Sequence, residues 1–325
     1  MRYVIHGAGA VGAIIGGRLH EAGQEAVLIA RGAHLEALQR DGLRLREPDR
    51  DARLRVPTVG TPAEAAPEPG DVVVLATKTQ DTAAALDDLA AVAPQDITVA
   101  CAQNGVENER LALRRFAHVV GITVFLPAAF LTPGEVIAPC APVAGVLDLG
   151  LAARGGTDAT CERLAADLRT AGFASDAVAD VMAHKRAKLL RNLLNAAEAA
   201  LGSQEAARPF TDAARAEGEA VLRAAGLAYV DDATFDARHA VLSDLRPVPG
   251  ADRGGSSTWQ SLQRGTGSVE ASYLNGEIAL LGREHDVPTP VNDALLATIT
   301  RLARTSGRPG DVTADDLRAE IERRR

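Results

Sequence analysis

The stretch Tyr3–Leu19, YVIHGAGAVGAIIGGRL, decides the fold. An apolar, β-branched run enters Gly7, Gly9 and Gly12, and an apolar pattern of helical period starts at Val11 and continues through Ile14, Ile15 and Leu19. The order read is strand, tight glycine turn, helix. Gly7 permits the sharp turn, Gly9 lets the backbone close on a pyrophosphate with no Cβ in the way, and Gly12 lets helix and strand pack tightly. The start of that helix, Ala10 and Val11 with Gly12, presents free N–H groups and a partial positive charge to a dinucleotide phosphate. A lone GxGxxG is weak evidence, because glycine also occurs in ordinary turns. Here a second strand, Glu25–Ala30 (EAVLIA), follows at the spacing a βαβ unit requires.

At 325 residues the chain is long for one core, so two domains are expected. A hydrophobic content of 46% with mean hydropathy near zero is that of a soluble globular protein. A net charge of -8 argues against nucleic acid or an anionic membrane as the main partner, so an anionic ligand must meet locally placed cations. Cys101, Cys140 and Cys161 have no metal or redox spacing and are odd in number, which fits a reducing compartment and no metal site. The first strand starts at residue 3, which leaves no room for a signal peptide, and no apolar run approaches membrane-spanning length. A cytoplasmic location is therefore expected.

After the second strand the chain reads Arg31-Gly32, where an NAD-preferring fold usually carries an acid for the ribose hydroxyls. Arg31 can instead form a charge-assisted fork with a 2′-phosphate, with His34 nearby, so NADP(H) is the expected cofactor. Asp41 to Pro57 reads as a hairpin or excursion. DVVVLATK, Asp71 to Lys78, is a continuous apolar strand of the kind buried on both faces of a parallel sheet. Its location at the carboxyl end of that strand makes Lys78 a cofactor contact. A helix from about Thr82 to Val92 leads to a strand, Ile97 to Cys101, and then Gln103-Asn104-Gly105. Asn-Gly is the commonest tight-turn dipeptide, but here it ends a strand and precedes a helix. Asn104 is accordingly expected to face nicotinamide and substrate. Val119–Leu131, Gly145–Ala152 and Phe173–Val178 read as further strands and Asp158–Ala171 as a helix.

From Ala179 onward only helical patterns remain, which predicts an α/β fold with a Rossmann-type doubly wound sheet over residues 1–179 and an all-helical C-terminal domain over 180–325. The first helix, Asp180–Leu201, places Lys185, Lys188, Asn192 and Asn195 within an arc of roughly 80° and its leucines on the other side. Asparagine in a helix interior costs about 0.6 kcal/mol against alanine, and two in one stripe suggest a polar cleft. Further helices are expected over Asp212–Ala225, Asp232–Asp244, Thr258–Gln263, Glu270–Leu281 and, as the last core helix, Val287–Ala303, with a frayed tail ending in Arg323–Arg325. A Pro- and Gly-rich loop, Arg246–Gly255, ends in Ser256-Ser257, one of which caps the next helix. A capped N-terminus with spare N–H groups is also a carboxylate site.

With these pieces in place the chain resembles the ketopantoate reductase family over nearly its whole length. GAGAVG with Arg31, the Lys78 strand end, QNG at 103–105, KLLRN at 188–192, GGSS at 254–257 and EASYLNGEI at 270–278 followed by VPTPVN appear in the family's order. The resemblance implies Lys188 and Glu270 as the catalytic pair, and Asn104, Asn192 and Ser257 as substrate contacts, to which the polar stripe of the helix adds Asn195. It also implies reduction of a 2-oxo acid, ketopantoate to pantoate in the pantothenate pathway, by NADP(H). The partner is then a small-molecule substrate, with a homodimer left open. Three departures bear on substrate: Ala196 stands where the family usually has a second asparagine, with Asn195 one residue early; the segment between Ser257 and Glu270 is one residue longer than usual; and Ser261 stands where an aspartate is common. The other readings are a reductase of a different oxo acid or imine, and a non-catalytic NADP(H)-binding sensor.

Overall fold

Strands form where the sequence is continuously apolar or alternates. In a computed structural model of the chain, which describes all residues except 131, 243–245, 251–254 and 266, these are β1 (Arg2–His6), β2 (Glu25–Ile29), β3 (Leu43–Glu47), β4 (Arg50–Leu54), β5 (Thr58–Val59), β6 (Val72–Leu75), β7 (Thr98–Cys101), β8 (His118–Phe125), β9 (Glu135–Ile137) and β10 (Val146–Leu151). Seven of them join in the order β10-β8-β7-β6-β1-β2-β5. All neighbours pair in parallel except β10, which runs antiparallel to β8. β6 and β7 are buried along their whole length, as parallel strands covered on both faces must be. β3 and β4 form the expected hairpin, which β9 extends into a small separate sheet.

Both faces of the large sheet are covered by helices: α1 (Ala10–Glu21), α2 (Gly32–Asp41), α3 (Pro62–Ala65), α4 (Thr82–Ala90), α5 (Glu107–Leu113) and α6 (Ala159–Thr170). Alternate β1 residues feed the two cores. Tyr3 and Ile5 pack with Ile14, Ile15, Leu164 and Leu168 of α1 and α6. Val4 packs with Leu86, Leu89 and Ala112 of α4 and α5. The chain is thus a mixed, mainly parallel sheet with helices, followed by helices: α7 (Val181–Asn192), α8 (Leu194–Leu201), α9 (Gln204–Ala224), α10 (Asp232–His239), α11 (Ser257–Gln263), α12 (Asn275–Glu284), α13 (Pro290–Arg304) and α14 (Ala314–Glu322). Among the described residues, no helix is long and apolar enough to cross a membrane.

Contacts divide the chain into two compact units, Met1–His184 with Asp232–Arg253, and Lys185–Asp231 with Gly254–Arg325. This differs from a single cut after residue 179, because α10 belongs with the sheet. Arg238 holds both oxygens of buried Asp148, at 2.8 and 2.5 Å, and Phe235 and His239 stack beside Phe125. In the second unit, α9 approaches its neighbours through Gly218, where a Cβ would lie 2.7 Å from Leu190 Cδ2 and 3.4 Å from Ile278 Cδ1.

Several expected elements are corrected. The strand read over 119–131 stops at Phe125, since Pro127 has no N–H to continue a ladder, and Leu131 lies outside the described residues. Residues 173–178 form no strand. They meet β10 through isolated bridges at Ala174 and Ala177, while the Ser175 hydroxyl donates to Leu147 O and the Asp176 N–H donates to Asp148 Oδ1. The helix read over 180–201 is interrupted at Leu193, which keeps helical dihedrals (φ -62, ψ -22). Helix α9 starts at Gln204, capped by Ser203, although Pro209 reads as a breaker. Helix α10 ends at His239, a 3₁₀ turn follows to Leu242, and residues 243–244 of the expected helix are not among those described. Instead of one helix, the stretch from Glu270 has a 3₁₀ turn, Glu270–Tyr273, and then α12, separated by Leu274 (φ -117, ψ -89). Helix α14, with a capping box between Thr313 and Asp316, was not anticipated.

Candidate active site

The first unit gathers the dinucleotide-binding candidates at one sheet edge. Parallel registry aligns His6 with Ile29 and Leu75, and Leu75 with Cys101, so the segments after β1, β2, β6 and β7 leave the sheet side by side. Gly7 takes φ +104, and a Cβ there would lie 2.8 Å from Thr77 N. At Gly12 a Cβ would lie 2.2 Å from Gly7 O and 3.0 Å from Ile5 Cγ2, which makes this the close contact of helix with strand. Gly9 has nothing within 4 Å of its would-be Cβ, and as the N-cap of α1 it makes no side-chain bond. No acid stands in the first turn of α1, where Ala10, Val11 and Gly12 lie. A Cβ-free cradle in front of an uncapped helix N-terminus fits a dinucleotide pyrophosphate.

Arg31 is the exposed N-cap residue of α2, and its Nη2 lies 3.5 Å from Asp88 Oδ2 on α4. His34 is not available to a phosphate. Its Nδ1 accepts the Gly134 N–H at 2.9 Å, so Nε2 carries the proton and donates to Ala8 O at 2.7 Å. Burial lowers the His34 pKa, which keeps the ring a neutral brace for the glycine turn.

Lys78 precedes a 3₁₀ turn, Thr79–Asp81, and Asn104 is half-buried ahead of α5. A buried chain of amides and hydroxyls fixes the two loops together. Gln103 Nε2 donates to Thr77 O at 2.9 Å and to Thr82 Oγ1 at 2.7 Å. Thr82 Oγ1 donates to Asn108 Oδ1 at 2.9 Å, and Asn108 Nδ2 donates to Asn104 O at 3.0 Å. Sequence reading missed Gln103, Thr82 and Asn108; the only local signal was the polarity of Gln103 beside Asn104 directly after a buried strand.

The second unit holds the remaining candidates. On α7, Lys188 Nζ donates to Asn192 Oδ1 at 2.7 Å, one turn on, and Asn192 is only 4% exposed. Lys185, one turn before Lys188, is 2% exposed. Ser256 is the N-cap of α11, accepting from Trp259 N at 3.5 Å, while its own N–H donates to Glu198 Oε2 at 3.1 Å. That leaves the Ser257 hydroxyl free of capping duty, and Asn195 Nδ2 lies 3.4 Å from it. Gly254 of the GGSS motif lies outside the described residues. Glu198, a buried acid in an alanine-rich helix, was also missed; such a group requires a partner, and Ser256 N–H and Gln204 supply it.

Glu270 opens its 3₁₀ turn and is 7% exposed. The next segment is anchored by a second buried network. Asn275 Nδ2 donates to Asn292 Oδ1 at 3.0 Å, and Asn292 Nδ2 donates to Glu217 Oε2 at 2.7 Å. Glu217 also accepts the N–H groups of Val291 and Asn292 and so caps α13 from α9. Burial raises the Glu217 pKa against the lowering effect of those bonds. Of the departures noted in sequence, Ala196 is buried, and Ser261 is buried with its hydroxyl donating to Ser257 O at 3.0 Å. Within this unit, then, an ammonium, two amides and a hydroxyl lie along α7, α8 and the start of α11, a set that can hold a carboxylate and deliver a proton.

Comparison with known proteins bears on the family. The family model described as ketopantoate reductase PanE/ApbA matches residues 3–140, and its C-terminal counterpart matches residues 180–303. A 2-dehydropantoate 2-reductase of Mesorhizobium japonicum is 30% identical over 94% of this chain and 99% of its own length. One of Archaeoglobus fulgidus is 29% identical over 91% and 95%. The crystal structure of a PanE/ApbA family ketopantoate reductase from Ralstonia eutropha JMP134 superposes with a TM-score of 0.79 at 28% identity, covering 94% of this chain and 99% of that one. The chain belongs to the ketopantoate reductase family.

Proposed function

We propose that this chain is an NADP(H)-dependent oxidoreductase that reduces a 2-oxo acid to the 2-hydroxy acid, with ketopantoate or a close analogue as substrate. The observation that carries the reading is the Lys188 ammonium held by Asn192 at 2.7 Å on the polar stripe of α7. The dinucleotide, when bound, supplies the hydride that adds to the C2 carbonyl carbon. The alkoxide that develops needs a positive charge and a proton at the same oxygen, and Lys188 supplies both. Asn192 fixes the ammonium's direction. Glu270 is assigned the carboxylate that keeps Lys188 protonated despite partial burial, as an opposite charge does. Asn195 and Ser257 take the substrate carboxylate or a distal hydroxyl. Gly7, Gly9, Ala10, Val11 and Gly12 would hold the pyrophosphate, Arg31 the 2′-phosphate, and Lys78 and Asn104 the nicotinamide side. Cys101, Cys140 and Cys161, buried and not joined in disulfides, suit the reducing cytoplasm in which we place the enzyme.

The test is NADPH consumption with ketopantoate and with a panel of 2-oxo acids, repeated with Lys188→Ala. The reading expects turnover on at least one oxo acid and a loss in kcat of about 10²- to 10⁴-fold in the variant with NADPH affinity intact. Tight NADPH binding with no turnover on any oxo acid would favour the sensor instead. Ala196 and the internally bonded Ser261 favour a second reading, an oxo acid lacking the distal hydroxyl of ketopantoate. Better kcat/KM on such a member of the panel would select it.

A further inference from the structure

In the second unit α12, α13 and the chain after α14 line an open concavity of about 650 Å³ whose charged lining is Arg283, Arg301, Arg304 and Arg324 against a single acid, Asp293. In a chain of net charge -8, this is a local excess of positive charge. The acid is already engaged, since Asp293 accepts from Arg283 at 2.5 Å and from the Thr289 hydroxyl at 3.2 Å. Arg324 leans on Glu320 at 2.7 Å. The side chains of Arg301 and Arg304 form neither an ion pair nor a hydrogen bond with any other described residue; Arg301 has only a charge–charge interaction with Asp316 of α14, and like charges one turn apart on a helix repel. Basic residues in the last turn of α13 offset its dipole, which accounts for one or two of them. It does not account for the convergence of Arg283 from α12 and Arg324 from beyond α14 on the same hollow. The uncharged lining suits an organic anion: Leu296 and Ala297 are apolar and Thr300 offers a hydroxyl, while the Thr305 hydroxyl donates to Arg301 O at 3.0 Å.

We propose that this concavity is a binding site for a small, multiply anionic molecule carrying two or more phosphate or carboxylate groups. None of the residues assigned to oxo acid reduction lines it, although Ser272, which does, shares a 3₁₀ turn with Glu270. Planar guanidinium forks bind such groups bidentately, and the forks of Arg301 and Arg304, which hold no hydrogen-bond partner among the described residues, beside the ion-paired Arg283 and Arg324, match a ligand with at least two charged ends. Occupancy would tie the end of α13 to the chain after α14 and so raise the melting temperature.

The test is calorimetric titration and thermal melting of the full chain at low ionic strength with pyrophosphate and, separately, citrate, each against sodium chloride of matched ionic strength. The proposal expects saturable 1:1 binding of at least one probe and a rise in Tm that sodium chloride does not give; whichever probe binds more tightly identifies phosphate or carboxylate as the preferred group. The doubly substituted R301Q/R304Q chain should bind about tenfold or more weakly, while Arg31→Ala should bind as the parent does. Absence of saturable binding to either probe, an unchanged affinity in R301Q/R304Q, or a loss confined to Arg31→Ala would each overturn it. Should R301Q/R304Q fail to fold, R324Q at the rim takes its place, and an unaltered affinity there is equally fatal to the proposal.

Discussion

The side-chain amide of Asn195 stands 3.4 Å from the hydroxyl of Ser257, joining α8 to the first residue of α11 across 62 positions. The contact is possible because Ser256, not Ser257, caps α11 and is itself held by Glu198. Replacing either Asn195 or Ser257 by alanine is expected to raise KM for the oxo acid about fivefold to tenfold with kcat nearly unchanged, the loss of one neutral hydrogen bond. Because the two groups meet, the double variant should lose less than the two single effects added, and steady-state kinetics on all three chains measures this.

Arg31 and Asp88 form an exposed pair at 3.5 Å. A 2′-phosphate at Arg31 would compete with that carboxylate. Arg31→Ala should therefore raise KM for NADPH about tenfold to a hundredfold and leave NADH nearly unchanged, as expected for losing one charge-assisted contact. Asp88→Asn should act in the opposite direction, tightening NADPH about twofold to fivefold, within the range of a surface pair. Equal changes for both dinucleotides would remove Arg31 as the phosphate contact.

Gly9 and Gly12 should separate under the same substitution. A methyl at Gly12 meets backbone, Gly7 O at 2.2 Å, so Gly12→Ala should lift α1 from β1 and cost about 1–3 kcal/mol in denaturant unfolding. A methyl at Gly9 meets nothing within 4 Å, so Gly9→Ala should change stability by less than about 0.5 kcal/mol. Its cost should fall on dinucleotide affinity, measured by titration, because the added methyl stands where the pyrophosphate is assigned.

His6, at the end of β1, is 2% exposed, and its ring nitrogens make no hydrogen bond among the described residues. Burial, with Arg31 nearby, pushes its pKa down to about 4. In the unfolded chain the ring takes a proton near pH 6.5, so between these two values the unfolded state binds more protons and stability falls as pH falls. Above pH 6.5 both states are neutral and the effect vanishes. From pH 7 to pH 5 the contribution of His6 is a loss of about 2 kcal/mol, and His6→Leu should remove it in urea unfolding at the two pH values.

The sequence by itself determined the glycine turn, the strand-helix alternation and the polar stripe of α7. These depend on interactions within a few residues: a positive φ at Gly7, burial on both faces of β6 and β7, and a helical period that sets Asn192 one turn beyond Lys188. The same local reasoning erred where distant groups compete with local preference. The side chains of Ser175 and Asp148 interrupted the backbone ladder that residues 173–178 make with β10, Pro209 was accommodated inside α9, and Leu274 broke what reads as one helix. Only tertiary structure decided that Asp88 faces Arg31, that His34 braces the turn rather than meeting a phosphate, and that α10 returns to the sheet through Arg238 and Asp148. It also decided that four arginines from three segments share one hollow. Each of these joins residues far apart in sequence, where side-chain chemistry limits what can pair and only the folded backbone selects which pairs meet.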